Sequence, residues 1–466
     1  MRVQLMPKCI YSAGKLLRGC LTGLAATLLA VAPVCAQKAG ANFLDNPGTL
    51  SKVQTLPWDG MPKWATADFQ VRGRAENQTS VNYSSGNDQL YLLTRVYGGL
   101  EVRPAHWITA YTQFIDTHAP GLPARYAAPT MRDTFDARQA YVDLHASGLK
   151  LVAGRQELRY GSERLVGISD WNNNSRTWDG FLARVGDKNR LDLFSTSVVG
   201  VHPGSLDKHG AGLTFHGAVG TIGSWVPYLM VQPFVYIKAF PRVSSPQRIF
   251  GTQTTVTPGA EVTGTLPGGL YVDLLGALQR GSYANDSIHA GAGYAKVGYT
   301  AHRVPWKPRL VGEYDYASGN SRPDLQRFGT FDQQYPTNHN AFGLTDLFGF
   351  QNIQQERINL DAKPTKRVAI LFQQEWLQVP TRNDSAYNAA GGVAVKVPAA
   401  GFGSSDLGRE FDGSGKWMIN PYVALNAGVG HFSPGTLMRG NGHGAPLTIA
   451  YLSVTYRFNV TRSEAP

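Results

Sequence analysis

Every second residue changes character across LLTRVYGGLEVRP (Leu92–Pro104). Val96, Gly98, Leu100 and Val102 fall on one face of an extended chain, and Arg95, Tyr97, Glu101 and Arg103 on the other. The pattern recurs in ADFQVRGRAE, where Phe69, Val71, Gly73 and Ala75 oppose Gln70, Arg72, Arg74 and Glu76. In KPRLVGEYDY, Leu310, Gly312, Tyr314 and Tyr316 oppose Arg309, Glu313 and Asp315. In LTIAYLSVTYRFN, Ala450, Leu452, Val454, Tyr456 and Phe458 oppose Tyr451, Ser453, Thr455 and Arg457. Each segment runs about ten residues, the length that crosses a bilayer at a tilt. A soluble β-sandwich also alternates, so the connections must decide. Some are tight (103–107, 186–189, 302–308, 362–367) and others long and polar (118–133, 161–177, 317–353, 380–419). Short turns alternating with long loops describe an all-β fold, a transmembrane antiparallel β-barrel with periplasmic turns and extracellular loops.

The ends of the chain agree. Arg2, Lys8, Lys15 and Arg18 precede the apolar LTGLAATLLAVAPV, and Val34–Ala36 offer small residues ahead of Gln37. Residues 1–36 therefore read as a secretory signal peptide, removed on export, and 37–466 as a single barrel domain. The leader carries all three cysteines and four positive charges, so the mature chain has no disulfide or thiolate and its formal charge falls from +11 to +7. No apolar run after the leader is long enough for a membrane-spanning helix. About seventeen strand segments can be read, but a barrel with both ends in the periplasm needs an even number. The missing strand is expected within 205–266, where Pro227 and Pro233 would break ladder bonds. Arg138 is in phase with Ala140, Val142 and Leu144, which calls for an interface position or a bulge.

The stretch GRQELRYGSERLVGISDWNNNSRTWDGF (Gly154–Phe181) carries the most chemistry. Two-residue spacing sends Arg155, Glu157 and Arg159 toward an aqueous lumen, with Val152, Leu158 and Tyr160 toward lipid or the interface. By phase Arg72, Arg74, Arg95, Arg103, Arg309, Arg357 and Arg457 also point inward. So do the acids Glu76, Glu101, Asp143, Asp273, Glu313, Asp315, Asp361 and Glu375. Two readings stay open: a guanidinium lining of many weak anion sites, or cross-strand ion pairs that hold the barrel round. Trp171, Trp178 and Phe181 suit an aromatic girdle. Asp170, Asn172, Asn173 and Arg176 suit a loop that turns or touches a ligand. YPTNHNAFG (335–343), with Asn338 and His339, suits a long loop folded over or into the mouth, so these are gate candidates. No catalytic site is read: His339 beside Asp332 or Asp346, and HPGSLDKH (202–209), come without a nucleophile motif. His202 and His209 lack a third metal ligand, no cofactor is implied, and cationic charge spread among strands does not suit nucleic acid.

Three segments also carry a family likeness. RQAYVDL…LVAGRQELRYGSERLVGISDWNNNSRTWDGF (138–181) resembles the core signature of the alginate-export family of outer-membrane porins. GTFDQQYPTNHNAFGLTDLFGFQNI (329–353) is similar to that family's second hallmark, and NPYVALNAGVGHFSPGTLM…LTIAYLSVTYRF (420–458) to its closing hairpin, ending on Phe458. The resemblance implies a monomeric barrel of about eighteen strands in the bacterial outer membrane. It further implies an arginine-rich constriction passing an acidic polysaccharide outward, for which the strand phase above offers Arg155 and Arg159 as the leading pair. A uronate chain carries about one carboxylate per sugar, which guanidinium grips through a planar fork. The alternatives are a general porin for small hydrophilic or anionic solutes and, further off, a barrel enzyme acting on lipids or glycans. The partners implied are lipid and lipopolysaccharide around the wall, saccharide or small anion within, and a periplasmic scaffold of an export complex.

Overall fold

The computed structural model describes residues 54–244, 249–322, 326–339 and 341–462, so the expected leader lies outside the described residues. Within them, the alternating segments become eighteen barrel strands. These are β1 (Ala65–Thr79), β2 (Gln89–Ala105), β3 (Ile108–His118), β4 (Asp133–Ala146), β5 (Leu149–Gln156) and β6 (Trp178–Gly186). Next come β7 (Asn189–Gly200), β8 (Thr214–Ile222), β9 (Leu229–Ser244), β10 (Phe250–Leu266), β11 (Leu270–Tyr283) and β12 (Asp286–Thr300). The wall is completed by β13 (Arg309–Ala317), β14 (Ile353–Thr365), β15 (Val368–Gln378), β16 (Asp406–Met418), β17 (Val423–Pro434) and β18 (Leu447–Thr461). Each pairs antiparallel with its neighbour, and β18 returns to β1 from Ala67 to Thr79, closing the sheet. Closure meets the demand of a bilayer, because no strand edge leaves unpaired amides in hydrocarbon. Phe69, Val71, Val96, Leu100, Leu310, Tyr314, Tyr316, Leu452, Val454 and Tyr456 all face outward and are exposed, as the alternation requires.

Short turns such as 106–107, 187–188, 301–308 and 366–367 gather at one end; the loops 119–132, 157–177, 201–213, 318–352 and 379–405 gather at the other. At the turn end, Thr55–Pro57 runs parallel to Asn459–Thr461, so the last strand continues past Phe458.

The strand missing from the sequence reading is β16, which lies inside the supposed loop 380–419 rather than in 205–266. Its outward row is Arg409, Phe411, Gly413, Gly415 and Trp417 and its inward row includes Glu410 and Asp412, so charge and glycine hide the period. Strands β8 to β10 account for 205–266 without a surplus. Pro227 lies in the turn between β8 and β9, while Pro233 pairs with Ala260 of β10. On its other side the β8–β9 ladder lapses between the Val219–Phe234 and Ile222–Val231 pairs, so no bond awaits the missing N–H. Gly220 makes this possible: a Cβ there would come within 3.1 Å of the Pro233 ring. Arg138 is the extra residue of a bulge, since Gln113 pairs with Gln139 and Phe114 with Ala137. The bulge turns its guanidinium inward.

Candidate functional site: the filled lumen

The interior is not an open channel lined by free guanidinium groups. The chain leaving β5 enters the barrel as residues 157–177, and four wall arginines hold it there. Arg72 donates to the carbonyls of Asp170 and Asn172, both at 2.9 Å. Arg74 donates to the Trp171 carbonyl at 2.6 Å and lies over the Trp171 ring, 3.6 Å from its centre. Arg95, with a side chain only 1% exposed, pairs with Asp170 at 3.0 Å. The bulged Arg138 donates to Ser175 Oγ at 2.9 Å and pairs with Glu157. Hydrogen bonds to charged groups contribute about 1.5–3 kcal/mol each, so together they hold the loop against thermal fluctuation. Asn173, a predicted loop contact, donates to the carbonyls of Thr94, His118 and Met131 at 2.9, 3.2 and 3.0 Å. Enclosure by the lumen alone would raise the Asp170 carboxyl, whose side chain is still 43% exposed, but Arg95, Arg72, Arg159 and Arg138 outweigh it and hold it at about 2.

A second inward segment, within 318–352, meets the first. His339 stacks on Trp171 with ring centres 3.6 Å apart and bonds Asp346 at 2.8 Å. Arg176 donates to the carbonyls of Gly167 and Tyr335, both at 2.7 Å, tying the two loops together; burial lowers its guanidinium to about 10. Asn338 donates to Gln333 Oε1 at 3.2 Å and to the Ala389 carbonyl of a third loop. Asp332 holds Lys238 of β9 at 2.8 Å. Phe331, Phe342, Phe348 and Phe350 join Leu158, Leu165, Val166 and Ile168 in one buried cluster with the inner wall.

Charge is divided between two sectors. Arg72, Arg74, Arg95 and Arg138 stand on β1, β2 and β4, where the one buried acid of β1, Glu76, is paired with Arg74 at 2.5 Å. Across β10 to β16 the inner face is acidic: Glu261, Asp273, Glu313, Asp315, Glu375, Glu410 and Asp412 are all buried. Arg164, from the first loop, reaches Glu313 at 2.7 Å and Asp315 at 2.9 Å. Arg357 donates to Glu313 at 2.8 Å. Backbone N–H groups of Leu344 and Thr345 cap Asp412 and Glu410 at 3.2 and 2.8 Å.

Several expected positions change. β5 ends at Gln156, so Arg155, Glu157 and Arg159 do not form one ladder. Arg155 stands opposite Ala140 and Asp179, on the outward face that also carries Leu144, Leu151 and Phe181. There it grips Asp179 at 2.8 Å and the Asp207 carbonyl at 2.9 Å. The phase was read one residue out, which exchanges every side chain between faces; Val152 and Tyr160 are buried, and Leu158 is 1% exposed in the core. Gly154, at φ +123°, allows the close approach here, since a Cβ would lie 2.3 Å from the Ala140 carbonyl oxygen. Arg159 does reach the aqueous interior, its side chain 45% exposed, paired with Glu157 and Glu163 at 3.1 Å. Arg103 is exposed near the turn end beside Glu101, and Arg309 pairs with Asp361 at 2.8 Å. Arg457 is half-buried on β18, and Asn172 contributes its carbonyl rather than a side-chain contact that the structure describes. Trp171 and Trp178 lie inside, leaving only Phe181 of the proposed girdle residues outward. The loop residue missed in the sequence was Arg164, whose signal was the apolar run LVGI beside it in a supposed external loop.

A family model described as alginate export matches residues 63–446. Solved structures with the same fold include Acinetobacter baumannii OccAB2, at 9% identity and TM-score 0.60, covering 85% of this chain and 99% of that one. Pseudomonas aeruginosa OccK11 (OpdR) is 11% identical with TM-score 0.55, over 86% of this chain and 98% of its own. P. aeruginosa OpdK, solved with vanillate, is 11% identical with TM-score 0.57, over 86% of this chain and 100% of its own. No curated protein matches the sequence.

Proposed function

The chain belongs to the alginate-export family, and from that premise we propose that this outer-membrane barrel passes an acidic saccharide along the sector of Arg72, Arg74, Arg95 and Arg138. The observation that carries this reading is how those arginines are occupied. The loop offers them carbonyl oxygens, one carboxylate (Asp170) and a flat ring (Trp171). An acidic sugar offers the same acceptors, a carboxylate and ring oxygens, so it would compete with the loop for the guanidinium forks. The loop would then leave the sector as the saccharide enters it. No step of chemistry is required, and the family and fold are those of transport channels.

A second reading, passage of small organic anions, is favoured by the extent of the filling: a polymer needs both inward loops displaced, a small solute only a gap. The fold neighbour OpdK was solved with vanillate, a small carboxylate. Liposome swelling with size-matched sugars separates the readings. Acidic di- and trisaccharides should enter faster than neutral ones. Equal rates contradict the arginine path, and entry of acidic monosaccharides alone supports the small-anion porin.

A further inference from the structure

We propose that Asp133, Asp136 and Asp207 form a calcium site at the loop end of the barrel, joining loop 201–213 to the wall. Asp133 and Asp136 begin β4, and Asp207 comes from the loop that closes over the short β5–β6 rim. One carboxylate oxygen from each lies within 4.8 Å of the others. Oxygens sharing one Ca²⁺ at about 2.3–2.6 Å can stand up to about 4.6–5.2 Å apart, so the three fit the ion as they stand. Among the described residues, no lysine or arginine forms an ion pair with any of the three. Arg155, beside the group, is turned to Asp179 and to the Asp207 carbonyl instead.

A second observation is independent of the clustering. Asp133 is 1% exposed, and its Oδ1 is buried without any hydrogen-bond partner. Its other oxygen accepts from Asn174 Nδ2 at 3.2 Å. The remaining carboxylates are already oriented from behind: Asp136 accepts the N–H groups of Ala137 and Asp207 at 2.5 Å, and Asp207 accepts that of His202 at 2.6 Å. A buried acceptor left unmatched is costly, and a hard cation with oxygen preference supplies what it lacks. With no sulfur and no imidazole in the group, the donor set suits Ca²⁺ rather than a transition metal. Three carboxylates leave several coordination positions for water, which places affinity in the weak range of extracellular sites, about 10⁻⁴–10⁻³ M.

The test uses the mature protein refolded in detergent, stripped with EDTA and titrated with CaCl₂. Calorimetry should show one saturable site in that range. Cleavage by the calcium-independent endoproteinase Lys-C at the exposed Lys208 should slow at least tenfold on calcium addition. Asp207→Asn and Asp133→Asn should each weaken binding at least tenfold, whereas Asp187→Asn in a turn at the other end should bind as wild type. Absence of saturable binding up to about ten times the weaker limit of that range, or cleavage indifferent to calcium, overturns the site. So does wild-type binding by either variant, which would place calcium elsewhere. The cleavage assay on wild type decides the matter even if a variant does not fold.

Discussion

Arg164 belongs to a loop, yet its guanidinium lies 2.7 Å from Glu313 and 2.9 Å from Asp315, all three side chains almost wholly buried. Glu313 has further cations, Arg357 and Lys296, the latter at 3.3 Å. Asp315 has only Arg164 as an ion-pair partner among the described residues. Removing one member of a buried pair leaves an uncompensated charge and costs about 3–5 kcal/mol. Arg164→Met should therefore lower the temperature at which the folded band converts to the unfolded band on gels. Arg164→Met combined with Asp315→Leu should recover most of the loss; an unchanged midpoint in the single variant contradicts this role. Single residues were legible where the strand phase was undisturbed, as at Arg72, Arg74 and Arg95. They were misread at the loop end of β5: Arg155, still inside the strand, sits on the other face because the phase was read one residue out, and Glu157 and Arg159 lie beyond its end at Gln156. At Arg138 the opposite held, because a charge in an apolar phase is itself the mark of a bulge.

The element that decides the state of the interior is loop 157–177. Its Asp170 carboxyl is held at about 2, with Arg95 and Arg72 the strongest favourable influences against burial. A depressed value in the folded state adds stability that is fully present above the ordinary carboxylate value of about 3.9 and lost as pH falls through about 2. Single-channel conductance should thus stay level from neutral pH to about 4 and rise between about 4 and 2. Asp170→Asn should conduct at neutral pH as wild type does at the acid end. An opening centred near pH 6 would contradict the assignment. Strands with an apolar outward row announced themselves, while β16 did not, because its outward row mixes Arg409 and two glycines with aromatics. Loops were recognised by polarity, but polarity does not say which way a loop folds. The buried Leu165, Val166 and Ile168 in the first loop were the available sign.

At the scale of the whole molecule, the barrel was legible because its signals repeat: the alternation, the turn and loop asymmetry, and the length of each crossing. The filling of the lumen was not, since it rests on contacts such as Arg72 with Asp170, 98 residues apart, that no local pattern encodes. The same contacts divide the interior into a basic and an acidic sector. The carboxylates of the acidic one are covered by Arg164, Arg357, the backbone of the second loop and, at Glu261 and Asp273, by the Ser162 N–H and the Tyr294 hydroxyl. The four arginines are covered in turn by the first loop, so Arg159, partly exposed, is the cation an ion meets first, and the arginine sector joins it in setting the field as that loop moves. The most direct measurement is the reversal potential of the reconstituted channel in a potassium chloride gradient, for wild type and for Arg72→Ser/Arg95→Ser. The account predicts anion preference in wild type, strongest at low salt and weakening as screening shortens from about 10 Å at 0.1 M. It also predicts a smaller preference with larger conductance in the double variant, whose loop has lost two of its clamps. Cation preference in wild type at low salt, or undiminished anion preference in a well-folded double variant, would contradict it.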